Sequence, residues 1–182
     1  LGNGWGAGTW GRFTWSSGAG SLAGQNLRLW MSDSWGEDLV ANIVDGSLYY
    51  WDATNGKTTR MAELSGVSGA SNVPTTVRKV MVSDVDRHVL CFGSNPLGSA
   101  TFDPLLIRWS SQESVTDWTP TATNTAGDIR LSQGSEIVTA IRTTRQILVF
   151  TENSLHSVQF VGAPFTFGTA LIGTNVRIAG PN

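Results

Sequence analysis

At 182 residues the chain has the length of one ordinary domain, enough to bury about two thirds of the surface its unfolded form would expose. Twelve basic and fourteen acidic residues leave a formal charge of -2, with neither sign in a block, which excludes the electrostatic footprint of a nucleic-acid or anionic-membrane binder. Charged residues make up only 14% of the chain while Gly (21) and Trp (8) are abundant, a balance that implies many tight turns and a surface partly covered by neighbours.

Residues 1–26, LGNGWGAGTWGRFTWSSGAGSLAGQN, have neither the helical nor the strand period; Trp5, Trp10 and Trp15 recur every five residues among glycines and serines. Glycine at this density loses much backbone entropy on ordering. The segment therefore reads as an irregular arm that orders only when its three indoles find a groove on the same chain or a partner, and Trp5, Trp10 and Trp15 are the interface candidates. Gly2, Gly4, Gly6 and Gly8 imitate a dinucleotide-binding run, but no strand precedes them and no helical pattern follows. The chain opens on Leu1, so the gene product is expected to start upstream; no basic-then-apolar leader is visible, and no apolar run is long enough for a membrane span.

From residue 27 to 182 the pattern changes to short runs rich in Val, Ile, Trp, Tyr and Phe: Leu27 to Met31, Leu39 to Ile43, Ser47 to Trp51, Val77 to Ser83, Val89 to Phe92, Leu105 to Trp109, Ile129 to Leu131, Ile137 to Ile141, Ile147 to Thr151 and Leu155 to Val161. Asp, Asn, Gly and Ser bound them, which is the strand-and-turn signature, and the predicted class is all-β. Asn55-Gly56-Lys57-Thr58 ends like a phosphate loop, but Trp51 stands where its first glycine must lie; the pair Asn55-Gly56 reads as a tight turn. Ser110-Ser111-Gln112-Glu113 has capping-box spacing and predicts one helical turn before Trp118.

The runs repeat. Val138 to Phe150 aligns with Val80 to Phe92 at an offset of 58, pairing Arg87 with Arg145, Leu90 with Leu148 and Phe92 with Phe150; a third copy lies upstream at an offset of 51, with Leu39-Val40 under Leu90-Cys91. Units of this length with three or four short antiparallel strands are the pattern of β-propeller blades, although a solenoid of sheets or a β-sandwich fits as well. About three blades are present, whereas a propeller closes with about four to eight; the chain is expected to be an incomplete propeller, a fragment of a longer protein. The equivalent Arg87 and Arg145 are expected at matching turns, and Leu90, Phe92, Leu148 and Phe150 are expected between blades.

No constellation for chemistry emerges. His88 and His156 lie in different strands without ligand spacing, and Asp84-Val85-Asp86 lacks the further ligands of a calcium loop. Cys91 sits alone in an apolar run and reads as a core residue. Gly-x-Ser-x-Gly is absent, and Glu37 and Asp38 are adjacent, so they point to opposite faces of an extended chain. The sequence predicts no catalytic, cofactor or metal site and no enzyme. Trp35, Trp51, Trp109 and Trp118 fall at strand ends, where they serve as sheet-packing wedges or as a sugar-stacking platform.

The segments SDVDRHVLCFG from Ser83, DPLLIRWSSQESVTDWTPTATNTAGDIRLS from Asp103, QILVFTENSLHSVQFVG from Gln146 and PFTFG from Pro164, with the opening GWGAGTWGR, resemble the propeller portion of the tail nozzle, or tail tubular, proteins of short-tailed bacteriophages. The resemblance implies a virion structural protein in a homo-oligomeric ring, usually a hexamer, in contact with other tail or adaptor proteins and around the channel through which DNA passes. The other blades and platform domain of such a subunit are not in this sequence. The alternative is a lectin-like carbohydrate-binding propeller.

Overall fold

The computed structural model describes residues 29–83, 86–178 and 180. Residues 1–28 lie outside these, and with them the arm and its Trp5, Trp10 and Trp15, as do Asp84 and Val85. Among the described residues, twelve strands form three four-stranded antiparallel sheets, each with its strands in chain order. Sheet 1 holds β1 (Trp30–Trp35), β2 (Asp38–Ile43), β3 (Leu48–Trp51) and β4 (Ala62–Glu63). Sheet 2 holds β5 (Val77–Val82), β6 (Val89–Ser94), β7 (Asp103–Trp109) and β8 (Gly127–Arg130). Sheet 3 holds β9 (Ile137–Arg142), β10 (Ile147–Thr151), β11 (Ser154–Gly162) and β12 (Thr166–Thr174). Every strand pairing within the sheets joins sequence neighbours, and the connections are short except for the longer one between β7 and β8.

The sheets pack face to face in series, and sheet 2 is the middle layer. This explains why β6 reads as an unbroken apolar run: all six of its residues are buried. Val89 and Cys91 join Val80 and Val82 in a core shared with Trp35, Val40 and Leu48 of sheet 1. Leu90 and Phe92 point the other way and, with Met81, Leu105, Ile107 and Trp109, meet Ile137, Ala140, Ile147, Val149, Val158 and Phe167 of sheet 3. Close packing sets local composition at Gly127: a Cβ there would lie 2.8 Å from the Trp109 ring, whose Nε1 donates to the Thr125 carbonyl at 2.8 Å.

The first hairpins of sheets 2 and 3 are equivalent. Met81 faces Leu90 and Lys79 faces Phe92 in one; Ile141 faces Leu148 and Thr139 faces Phe150 in the other. The second strands keep the offset of 58, but the first strands are displaced further because the turn at Thr143 to Gln146 is shorter than that at Ser83 to His88. The upstream copy needs a larger correction. Val40 points from sheet 1 toward sheet 2, whereas Cys91, its partner at an offset of 51, points from sheet 2 back toward sheet 1. The face-preserving partner of Val40 is Leu90, since a one-residue slip in a strand inverts every side chain.

Several element boundaries also differ from expectation. β1 covers Trp30–Trp35, beyond the predicted end at Met31, because Ser32 and Ser34 lie exposed on one face while Asp33 is engaged on the other. β4 and β12 were not expected; Gly168 and Gly173 mask the strand pattern of β12. At Ser110 to Glu113 a non-helical turn replaces the predicted helical turn. The Ser110 hydroxyl accepts from the Val89 N–H at 3.0 Å instead of capping a helix, and Glu113 adopts φ 55. Asn55 ends a single 3-10 turn and Gly56 takes φ 76.

Leu90 and Phe92 are fully buried, whereas their equivalents Leu148 and Phe150 are half-buried, and Ile141 beside them is 45% exposed. Phe92→Ala is expected to cost about 3–5 kcal/mol in urea denaturation and Phe150→Ala under about 2 kcal/mol, since the latter already faces solvent in part. Equal losses would count against this difference in cover.

Candidate functional site

The first strands of the three sheets converge along one seam, and its logic begins with a backbone problem. β5 is an edge strand, so one side of its backbone has no strand partner. Side chains from sheet 1 supply the missing bonds. The buried Asn42 donates to the carbonyls of Val77 (2.8 Å) and Arg78 (3.1 Å), and its Oδ1 accepts from Val80 N–H at 3.0 Å. Asp33 Oδ2 accepts from Val82 N–H at 2.8 Å. From sheet 3, Arg142 donates to the Val82 carbonyl at 3.0 Å and reaches Asp33 at 3.3 Å.

A second arginine clamps the other end of the seam. Arg78 donates to Asp45 on the sheet 1 side at 3.0 Å and to Glu136 at 2.6 Å and the Ile137 carbonyl at 3.1 Å on the sheet 3 side. Burial works against its charge, but the two carboxylates outweigh that and hold its pKa above the ordinary value. Between the arginines, Lys79 donates to Thr139 Oγ1 at 2.9 Å. Burial pulls the Lys79 pKa down, and Asp33 opposes the shift. A shallow cleft of about 260 Å³ opens here, lined in part by Met31, Asp45, Arg78, Lys79 and Glu136. Charges of both signs interleave along it, so the arrangement suits clamping of sheets and offers no strong field to an ion or nucleic acid.

The other residues singled out by sequence fall elsewhere. Arg87 and Arg145 both lie two residues before the second strand of their sheets. The Arg87 guanidinium stacks over the Trp35 ring, 4.9 Å from its centroid, while Arg145 lines an open surface cleft with Asp86, Arg142 and Phe160. Trp35, Trp109 and Trp118 are buried in the cores; Trp51 is half-buried and donates to the Thr59 carbonyl at 3.0 Å. Cys91 is fully buried, and desolvation pushes its thiol pKa far above the ordinary value. His156 is buried, its Nε2 3.1 Å from both Ser154 Oγ and the Gln133 carbonyl. Sequence reading missed Asn42, Asp33, Arg78 and Arg142, since only the placement of one sheet beside another brings them together. No protein-family model matches the chain, and a search of curated proteins finds no relative.

Arg78→Gln is expected to lower stability by about 1–2 kcal/mol, the scale of two partly exposed charged hydrogen bonds discounted for screening. Asp45→Asn should cost less, because Glu136 still holds the guanidinium. Urea titrations of both variants check the order.

His88 is buried against Phe160 and Phe167, with Nε2 3.0 Å from Thr125 Oγ1. Desolvation depresses its pKa below the ordinary 6.5, and Asp86 opposes this. The folded state therefore binds this proton less readily than the unfolded chain. The stabilisation is complete above the unfolded value and is lost as pH falls below it toward the folded value. The urea midpoint should fall between pH 7.5 and about 5.5, and His88→Gln should flatten that slope. An unchanged slope in the variant would remove His88 as its source.

Proposed function

We propose that this chain is a structural component of a bacteriophage tail, a set of β-propeller blades from a nozzle-type protein that forms part of the channel for DNA ejection and works in the virion as a homo-oligomeric ring. The observation that carries the reading is the repeat of the interface itself. Leu90 and Phe92 of sheet 2 are covered by sheet 3, while their equivalents Leu148 and Phe150, with Ile141 and Leu155, lie half-buried or exposed on the far face of sheet 3. An apolar sheet face of this kind suits a serial array that continues into another sheet.

The resemblance to nozzle proteins supports the same reading. Its segments fall on β6, on β7 with the long connection to β8, and on the β10–β11 hairpin, each of which contributes side chains to the cores. A sugar-stacking platform draws less support, since Trp35, Trp109 and Trp118 are consumed by packing. On this reading no catalytic step, cofactor or metal is needed; the work is mechanical, and the contacts are with copies of the chain and with other tail or adaptor proteins.

Sedimentation velocity and negative-stain imaging of the chain test the proposal. A closed ring, six copies by the resemblance, is the expected result. Changing Trp5, Trp10 and Trp15 together to Ala should shift the distribution toward smaller species with the β-sheet circular dichroism unchanged, because aromatic anchors dominate interface energetics. A monomer at every concentration would reject the ring, and an assembly indifferent to the triple change would reject the arm as its anchor.

A further inference from the structure

Arg108 is the most deeply buried arginine of the described residues, 2% exposed, on β7 of the middle sheet. Arg78, Arg130 and Arg142 each have a carboxylate partner. Arg108 has none within 4.0 Å among the described residues; its acceptors are three backbone carbonyls, of Asn72 at 2.9 Å, Asn95 at 3.2 Å and Trp118 at 3.4 Å. A guanidinium has five N–H donors, so these three contacts leave donor capacity unused. Carbonyl dipoles satisfy hydrogen bonds without cancelling the charge, and the exposed Asp128, across from Arg108 on β8 and beyond ion-pair distance, offsets its desolvation only in part.

The Arg108 side chain also lines an open cleft of about 400 Å³ between the chain linking sheet 1 to sheet 2 and the loop after β6. The other walls mix Asn72, Thr75, Asn95 and Ser99 with the apolar Ala70, Val73 and Ala100. Asn95 is already engaged: its Oδ1 accepts from the N–H groups of Thr75 and Thr76 and its Nδ2 donates to the Ser99 carbonyl. The loops are thus tied in place around the pocket, and no acidic residue lines it. A buried positive charge at the wall of an open cleft that mixes apolar surface with hydroxyl and amide groups suits an anion that also carries hydroxyl groups on an apolar ring face.

We propose that this cleft binds a carboxylated small molecule of sugar-acid size, its carboxylate compensating Arg108 and its hydroxyls meeting the Ser, Thr and Asn rim. The site is independent of the tail reading, since it lies within one chain.

Glucuronate, with glucose as the neutral control, is titrated into the full chain and followed by amide NMR shifts and by the Arg108 Nε–H resonance. A ligand of this size is expected to bind with Kd on the order of 1 mM. Glucuronate should shift the Asn72, Asn95 and Ser99 signals, glucose at the same concentration should shift them at least about tenfold less, a difference of one charged contact, and Arg108→Met should abolish the response. Arg108 also braces three loops, so Ala100→Trp, which fills the cleft from its exposed rim and leaves Arg108 intact, decides the matter if Arg108→Met fails to fold. No response to glucuronate, an equal response to glucose, or a response that survives Ala100→Trp overturns the proposal and leaves Arg108 as a brace only.

Discussion

The outward edge of β5 is the constraint around which the three sheets are arranged. An edge strand presents unpaired N–H and C=O groups, and each one buried without a partner costs about 1–3 kcal/mol. Here the edge is closed by one backbone bond, from the Val77 N–H to the Gly46 carbonyl, and otherwise by side chains: Asn42 and Asp33 from sheet 1, Arg142 from sheet 3. Asn42 serves both bond directions at once, donating through its amide and accepting through its oxygen. That double role fixes the level of β2 against β5 and therefore which apolar residues meet above it.

Once that level is set, the cores follow from the two-residue period of strands. Val80, Val82, Val89 and Cys91 face sheet 1, while Met81, Leu90 and Phe92 face sheet 3. The seam between the first strands remains polar because it is narrow and carries backbone edges, and the space away from it fills with large side chains such as Trp109, Trp118 and Phe167. Arg78 and Arg142 span all three sheets at this seam. Arginine suits the task because its planar fork meets several acceptors without losing charge. The sheets are consequently tied by hydrogen bonds at their convergent edges and by apolar contact across their faces.

This division bears on function. A module whose polar groups bind its own sheets together, and whose apolar faces recur from sheet to sheet, is compatible with the structural role proposed above. The exception is Arg108, whose charge has no carboxylate within ion-pair distance among the described residues and which lines an open cleft between two well-tied loops. The open far face of sheet 3 and the Arg108 cleft are thus separate features: one follows from the repeat, the other departs from it.

The residues alone determined the all-β class, the strand content from β5 to β11 and the repeat that equates Leu90 and Phe92 with Leu148 and Phe150, because β-branched and aromatic runs between turn residues encode local geometry. The chain pattern also marked Cys91 as a core residue and Asn55-Gly56 as a turn instead of part of a phosphate loop. Which face each residue presents was decided by tertiary structure, as the misaligned Val40 illustrates: strand period is readable from sequence, but its phase depends on what lies opposite. β12 escaped because Gly168 and Gly173 dilute a strand whose stability comes from its long pairing with β11. The seam of Asn42, Asp33, Arg78 and Arg142 escaped for a related reason. Its bonds join positions 33 to 109 residues apart, and no local pattern marks a polar residue for a backbone edge that only another sheet, once folded, brings within reach.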